Sequence, residues 1–187
     1  MLKLAFLQPN LILGDTVFGI TPDILNYYQL KGLVLDVDET LVPLREKKVS
    51  EELVRWIAQI RQIASIWLVS NNLSQYRIGH IAQSLNVPYI LGAGKPSRRK
   101  LRQALQAMNL PASEVAMVGD RIFTDTIAGN RLGMFTILVE PMVDPAIAAR
   151  FYPIRNLEVW ISKQLGVSWT TNLQNFTKSD NDLKKEI

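Results

Sequence analysis

KGLVLDVDETLVP, residues 31–43, decides the fold. Its apolar run Leu33-Val34-Leu35 has the length and flanks of a fully buried strand, with Gly32 before it and Pro43 soon after. The run delivers two carboxylates, Asp36 and Asp38, followed by Thr40 and Leu41. The last residues of such a strand project into the crevice at the carboxyl edge of an open α/β sheet, where ligands usually bind. Two acids one residue apart at that spot repel each other and resist burial, so something must balance them. A divalent cation does so most simply, and hard cations such as Mg2+ prefer oxygen ligands. The plainer alternative is a strand end whose acids cap a turn, where Asp is common.

On the carboxyl side, strand and helix signals alternate. Ser50 caps an amphipathic segment, residues 51–62, with Leu53, Val54, Ile57 and Ile60 at helical spacing. SIWLVS, residues 65–70, reads as a second buried strand ending in Ser70-Asn71-Asn72. A helix from Ser74 to Leu85 is broken by Asn86-Val87-Pro88, and Tyr89-Ile90-Leu91 forms a short third strand before Gly92-Ala93-Gly94-Lys95-Pro96. Ser97 opens a basic helix carrying Arg98, Arg99, Lys100 and Arg102, with Leu101, Leu105 and Met108 on its apolar side. Residues 114–118 make a fourth strand running into Gly119-Asp120. A helix over 123–132 and a fifth strand over 134–139 follow. This order predicts a Rossmann-like α/β/α fold with a mostly parallel sheet of about five strands.

Three segments are expected: a lead-in over 1–30, a catalytic domain over 31–143, and a helix near 154–165 with a polar tail over 144–187. In the lead-in, Thr21 is a candidate cap before Pro22. Its apolar patches pack on the core or its edge, or, in the sharper reading, touch a membrane beside Lys3. The fraying expected of the tail is greatest over 178–187. Hydrophobic residues make up 48% and charged residues 20%, which excludes a disordered chain. The net charge of +4 suits anionic substrates or an anionic surface, or simply solubility. With no cysteine there is no disulfide framework or thiolate metal site, in keeping with a cytoplasmic protein, peripheral to the membrane if it meets one. No stretch approaches the roughly 20 apolar residues needed to span a bilayer. His80 and the tryptophans Trp56, Trp67, Trp160 and Trp169 read as structural or packing residues.

Four strand ends supply Asp36 and Asp38, then Ser70 and Asn71, then Lys95, then Asp120 and Asp125. In a parallel sheet all four face one crevice. A phosphoryl group needs this mixture, because its transfer depends on positioning and on neutralising its oxygens.

DVDET, the strand-ending Ser70, Lys95-Pro96 and GDRIFTD resemble, in order, the four motifs of the haloacid-dehalogenase-like (HAD) phosphatases. VSNN, AGKP and GDRIFTDTIAGNRLGMFTILV resemble the family's YqeG branch, in subfamily IIIA, which is grouped with phosphatidylglycerophosphate phosphatases. The resemblance implies Asp36 as the nucleophile and Asp38 as the general acid/base. It implies Mg2+ held by the Asp36 carboxylate, the Asp38 carbonyl, Asp120 and Asp125. Ser70 and the amide of Asn71 would bind phosphoryl oxygens, Lys95 would pair with Asp36 and the phosphate, and Thr40 would brace the loop.

Neither residues 41–66 nor residues 73–94 are long enough to house the cap domain that family members often insert, so an open site for a large substrate is expected. The expected function is hydrolysis of phosphatidylglycerophosphate, the partner being a lipid head group at a membrane surface rather than a nucleic acid. Two alternatives stay open: a phosphatase for nucleotides or phosphoproteins, and a non-enzymatic binding or assembly module. The basic helix is either a solvated face or an attractor for the head group.

Overall fold

The computed structural model describes residues 5–142; the helix expected at 154–165, the polar tail, Trp160 and Trp169 lie outside the described residues. The core is a parallel sheet built on β2 (Gly32–Leu35), β3 (Ser65–Val69), β4 (Tyr89–Ile90), β5 (Val115–Gly119) and β6 (Phe135–Leu138). A sixth strand, β1 (Leu11–Ile12), gives the order β1-β6-β5-β2-β3-β4. The strand carrying the acid pair is therefore central, flanked by β3 and β5 in register through Val34↔Trp67 and Val34↔Met117.

Alternate residues of β2 divide the helices between the two faces, as the two-residue period of a strand requires. Leu33 and Leu35 join a core with Ile24 and Leu25 of α1 (Pro22–Tyr27), Leu53, Trp56, Ile57 and Ile60 of α2 (Glu51–Ile60), and Ile78 and Ile81 of α3 (Gln75–Leu85). Val34 joins the opposite core with Leu101, Ala104 and Leu105 of α4 (Arg99–Met108) and Ala128 of α5 (Ile127–Asn130). Each fully buried Leu or Ile contributes about 1.5–3 kcal/mol, so these two layers carry the fold.

The two caps read from the sequence, Thr21 and Ser50, both form, and Ser74, read as a helix start, caps a third helix. Thr21, Ser50 and Ser74 accept hydrogen bonds from the amides of Ile24, Leu53 and Arg77, respectively. On α2 the buried face is shifted by one position. Val54 is turned to solvent and Trp56 faces inward, its indole N–H donating to the Ile20 carbonyl at 2.9 Å. The stripe centred on positions 53, 57 and 60 takes in 56, whereas 54 lies a further 100° round the helix. Helix α4 begins at Arg99 rather than Ser97, because the Ser97 amide is taken by the Gly94 carbonyl in a turn. The helix expected at 123–132 opens as a wide π-helical turn, Ile122–Thr126, before α5.

The lead-in is built into the sheet. Strand β1 pairs with β6 through Leu11↔Ile137, and Leu7, Leu11, Ile12 and Leu13 are buried. Asn10 Oδ1 accepts from the Thr136 amide at 2.8 Å, while Asn130 Nδ2 donates to the carbonyls of Phe6 and Gln8. Of the two apolar patches at 2–7 and 11–13, Leu7 and residues 11–13 are occupied in the interior, as the packing reading expects, whereas Phe6 is exposed and residues 2–4 lie outside the described residues.

Candidate active site

The carboxyl ends of β2, β3 and β5 and the loop after β4 converge. Asp36 continues β2, its amide donating to the Val118 carbonyl at 2.9 Å, and its carboxylate is buried. Lys95 Nζ lies 2.5 Å from Asp36 Oδ1 and 2.7 Å from Asp125 Oδ1, with its side chain only 1% exposed. Asp125 reaches this position from the π-helical turn and packs over Gly119, where an added Cβ would fall 2.4 Å from the Asp125 carboxyl carbon. Only glycine leaves that room. Thr40 ties Asp120 from both sides, its hydroxyl donating to Oδ1 at 3.0 Å and accepting from the Asp120 amide at 3.2 Å.

Asp38 points elsewhere. Its Oδ1 pairs with the Arg77 guanidinium of α3, and its Oδ2 accepts from the Ser70 hydroxyl at 3.3 Å and from the Asn72 side-chain Nδ2 at 3.2 Å. Arg77 also donates to the carbonyls of Glu46 and Pro43, at 2.8 and 2.9 Å, so one side chain fixes both the acid and the loop after β2. That loop turns at Glu39, which has a left-handed φ of 66°, and closes by an Asp38↔Val42 bridge. Asn71 brackets the backbone of Lys95, its Oδ1 accepting from the Lys95 amide at 2.7 Å and its Nδ2 donating to the Lys95 carbonyl at 3.2 Å.

The eight residues singled out in the sequence (Asp36, Asp38, Thr40, Ser70, Asn71, Lys95, Asp120 and Asp125) thus gather at one sheet edge. Asp36, Asp120 and Asp125 form a buried trio whose carboxylate oxygens lie within 4.8 Å of one another, with the Asp38 carboxylate outside it. Sequence reasoning missed Arg77, Asn72 and the turn at Glu39. His80 sits exposed on α3, away from these contacts, and Arg98 is spent on the Arg131 carbonyl at 3.1 Å.

Burial sets the electrostatics. It pushes Asp36 up to about 7, against the pull of Lys95 and with the help of Asp125 and Asp38. Burial, then Asp125 and Asp36, pushes Asp120 up to about 8 despite the Thr40 hydroxyl. Burial also works against the Lys95 ammonium, but Asp125 and Asp36 outweigh it and hold its pKa above the usual lysine range. Both Asp125 oxygens are buried without a hydrogen bond of normal geometry, the contact with Lys95 being an ion pair. Three crowded acids, one of them the unsatisfied Asp125, outnumber the single ammonium and offer the oxygen donors a hard divalent cation takes, so the site fits Mg2+.

A stability test follows from these values. The folded metal-free chain keeps protons on Asp36 and Asp120 that the unfolded chain releases near 3.8. Their contribution is therefore full below about pH 3.8 and is lost as pH rises through about 7 to 8. Thermal unfolding in chelator should show a Tm that falls from mildly acid to mildly alkaline pH. Because metal must displace those protons, added Mg2+ should raise Tm most at the alkaline end. A Mg2+ shift that shrank as pH rose would contradict this assignment.

A central parallel sheet ends its middle strand in an acid pair, with a buried lysine and two further acids beside it, an arrangement suited to neutralising a phosphoryl group. The HAD-hydrolase-like family model matches residues 92–145. The chain is 32% identical to the phosphatase YqeG of Bacillus subtilis over 143 residues, covering 76% of this chain and 81% of that one. It is 28% identical to the chloroplastic phosphatidylglycerophosphate phosphatase 1 of Chlamydomonas reinhardtii, covering 75% of this chain but only 54% of the algal protein. Among solved structures, a Vibrio cholerae protein described as a 3-deoxy-D-manno-octulosonate 8-phosphate phosphatase shares the fold at a TM-score of 0.50 and 16% identity, over 73% of this chain and 80% of that one. The chain belongs to the HAD phosphatase superfamily and is a phosphatase.

Proposed function

We propose that this phosphatase hydrolyses phosphomonoesters through an aspartyl-phosphate on Asp36, with phosphatidylglycerophosphate as its substrate. The observation that carries the chemistry is the separation of the two acids. Asp36 is neutralised by Lys95 inside the buried trio, whereas Asp38 is held by Arg77, Ser70 and Asn72 at its edge. Two carboxylates in such different surroundings suit two different tasks.

In the first step an Asp36 carboxylate oxygen attacks phosphorus and the bond to the leaving alkoxide breaks, the alkoxide taking a proton from Asp38. In the second, Asp38 takes a proton from water as the water oxygen attacks phosphorus, freeing phosphate and Asp36. Lys95 keeps Asp36 aimed and offsets charge, while Ser70 and Asn71 border the phosphoryl position. Mg2+, held by the Asp36, Asp120 and Asp125 carboxylates and the Asp38 carbonyl, would neutralise phosphoryl charge.

The lipid assignment draws support from the algal relative and from the openness of the site. Between β2 and β3 there is only a loop and α2, and between β3 and the Lys95 loop only α3 and β4. Among the described residues, no helix is long and apolar enough to cross a membrane, so the substrate would be met at the surface. The test is phosphate release from phosphatidylglycerophosphate in mixed micelles with Mg2+, beside p-nitrophenyl phosphate. Much faster cleavage of the lipid is expected. Turnover of the small ester alone would remove the lipid assignment and leave the chemistry.

A further inference from the structure

We infer that the rim of the active site is itself a docking surface for an anionic lipid bilayer, formed by the loop at residues 44–48 and the start of α3. The inference rests on the lipid-substrate reading and adds the surface that would present the substrate.

The two most exposed large apolar side chains among the described residues are Leu73, at 81%, and Tyr76, at 74%. Both stand beside site residues: Leu73 follows Asn72, which donates to Asp38, and Tyr76 precedes Arg77, which pairs with it. Leu44, also exposed, follows Pro43, whose carbonyl Arg77 holds. Lys47 Nζ donates to the Tyr76 hydroxyl at 3.0 Å and sits 4.8 Å from the ring centroid, joining loop and helix into one surface. The loop LREKK carries Arg45, Lys47 and Lys48 against Glu46 alone, a net charge of 3 − 1 = +2, with all five residues exposed.

Apolar side chains left in water beside cations, at the mouth of a site, match an interface that inserts shallowly while its cations meet head-group phosphates. Strand β1 of the lead-in is built into the sheet, and the basic stretch, where Arg98 holds the Arg131 carbonyl and Arg99 and Arg102 stand exposed, has no exposed large apolar side chain beside its cations. Docking by the rim would bring a head-group phosphate to the crevice without the lipid leaving its leaflet.

The experiment is co-sedimentation of the full chain with phosphatidylcholine vesicles, with and without phosphatidylglycerol, over a range of salt. The wild type should bind the anionic vesicles, weaken with salt, and leave the zwitterionic vesicles largely unbound. Each cation near the surface is worth roughly fivefold, so the triple change Arg45→Gln, Lys47→Gln, Lys48→Gln should lower vesicle affinity on the order of a hundredfold. The pair Leu44→Ser and Leu73→Ser should also weaken binding, with p-nitrophenyl phosphate turnover kept in both variants. Absence of wild-type binding, or variants that bind as it does, would overturn the proposal. Equal retention on single-stranded RNA with no dependence on Leu44 and Leu73 would overturn it in favour of a general polyanion site. Vesicle binding without cleavage of phosphatidylglycerophosphate would remove the substrate and keep the surface; micellar cleavage without vesicle binding would do the reverse.

Discussion

Asp36→Asn is expected to lower phosphate release by at least roughly a thousandfold while leaving the chain folded, because it removes the proposed nucleophile and almost nothing else. The amide has the shape of the carboxyl group and relieves a group whose charge the site already disfavours: burial holds Asp36 near 7, and Asp125 and Asp38 repel it. Lys95 keeps its second partner, Asp125 Oδ1 at 2.7 Å. In chelator at alkaline pH, the variant should therefore melt no earlier than the wild type. Steady-state turnover of p-nitrophenyl phosphate and a thermal melt on the same preparation check both halves. A variant that kept a tenth of the activity would displace Asp36 from the nucleophile's role; one that was inactive because it had unfolded would leave the electrostatic account wrong.

Lys95→Met is expected to be the most destabilising single change in the site. Met has nearly the length of the lysine stem, so packing is largely kept and the charge is what goes. The loss leaves Asp36, Asp120 and Asp125 buried together with no ammonium among them. Removing one partner from a buried ion pair costs about 3–5 kcal/mol, which for a chain of this size lowers Tm on the order of 10 °C. The acids can escape part of the cost by taking up protons, so the deficit should grow as pH rises and shrink when Mg2+ is added. Melts across pH, with chelator and with Mg2+, read this directly. A deficit independent of both pH and metal would mean that lysine packing, not its charge, is what the site needs.

The parts of this molecule legible in the sequence are those in which residue type alone carries the signal. Strands buried on both faces appear as unbroken apolar runs, and Leu33-Val34-Leu35 sits at the centre of the sheet as that pattern implies. Polar residues at successive strand ends could be matched because a parallel sheet aligns those ends whatever the details of packing. Arg77 was not legible. On a helix an arginine reads as a solvated residue, and its partners are a carboxylate 39 positions away and two carbonyls 31 and 34 positions away, which no side-chain pattern encodes. Strand β1 is two residues long and follows Pro9, too short for a periodic signal. The π-helical turn likewise has no compositional mark, yet it sets Asp125 over Gly119. Trp56 was legible and misread: on the helical template the stripe on 53, 57 and 60 takes in position 56, and Val54, apolar by type, lies outside it.

Strand β1 also has a consequence for the order in which the protein is made. Of the six described strands it is the first to leave the ribosome, yet its partner β6 is the last of them, and the Asn10–Thr136 clamp spans 126 positions. Until β6 has been synthesised and paired with β5, Leu11, Ile12 and Leu13 have no sheet edge to join. Contacts this distant are formed after local ones, because chain closure must precede their reward. The nascent chain thus carries an apolar, unpaired segment at residues 11–13 until β6 is made, the kind of segment that chaperones shelter. Among these six strands, the first one made is the last one placed.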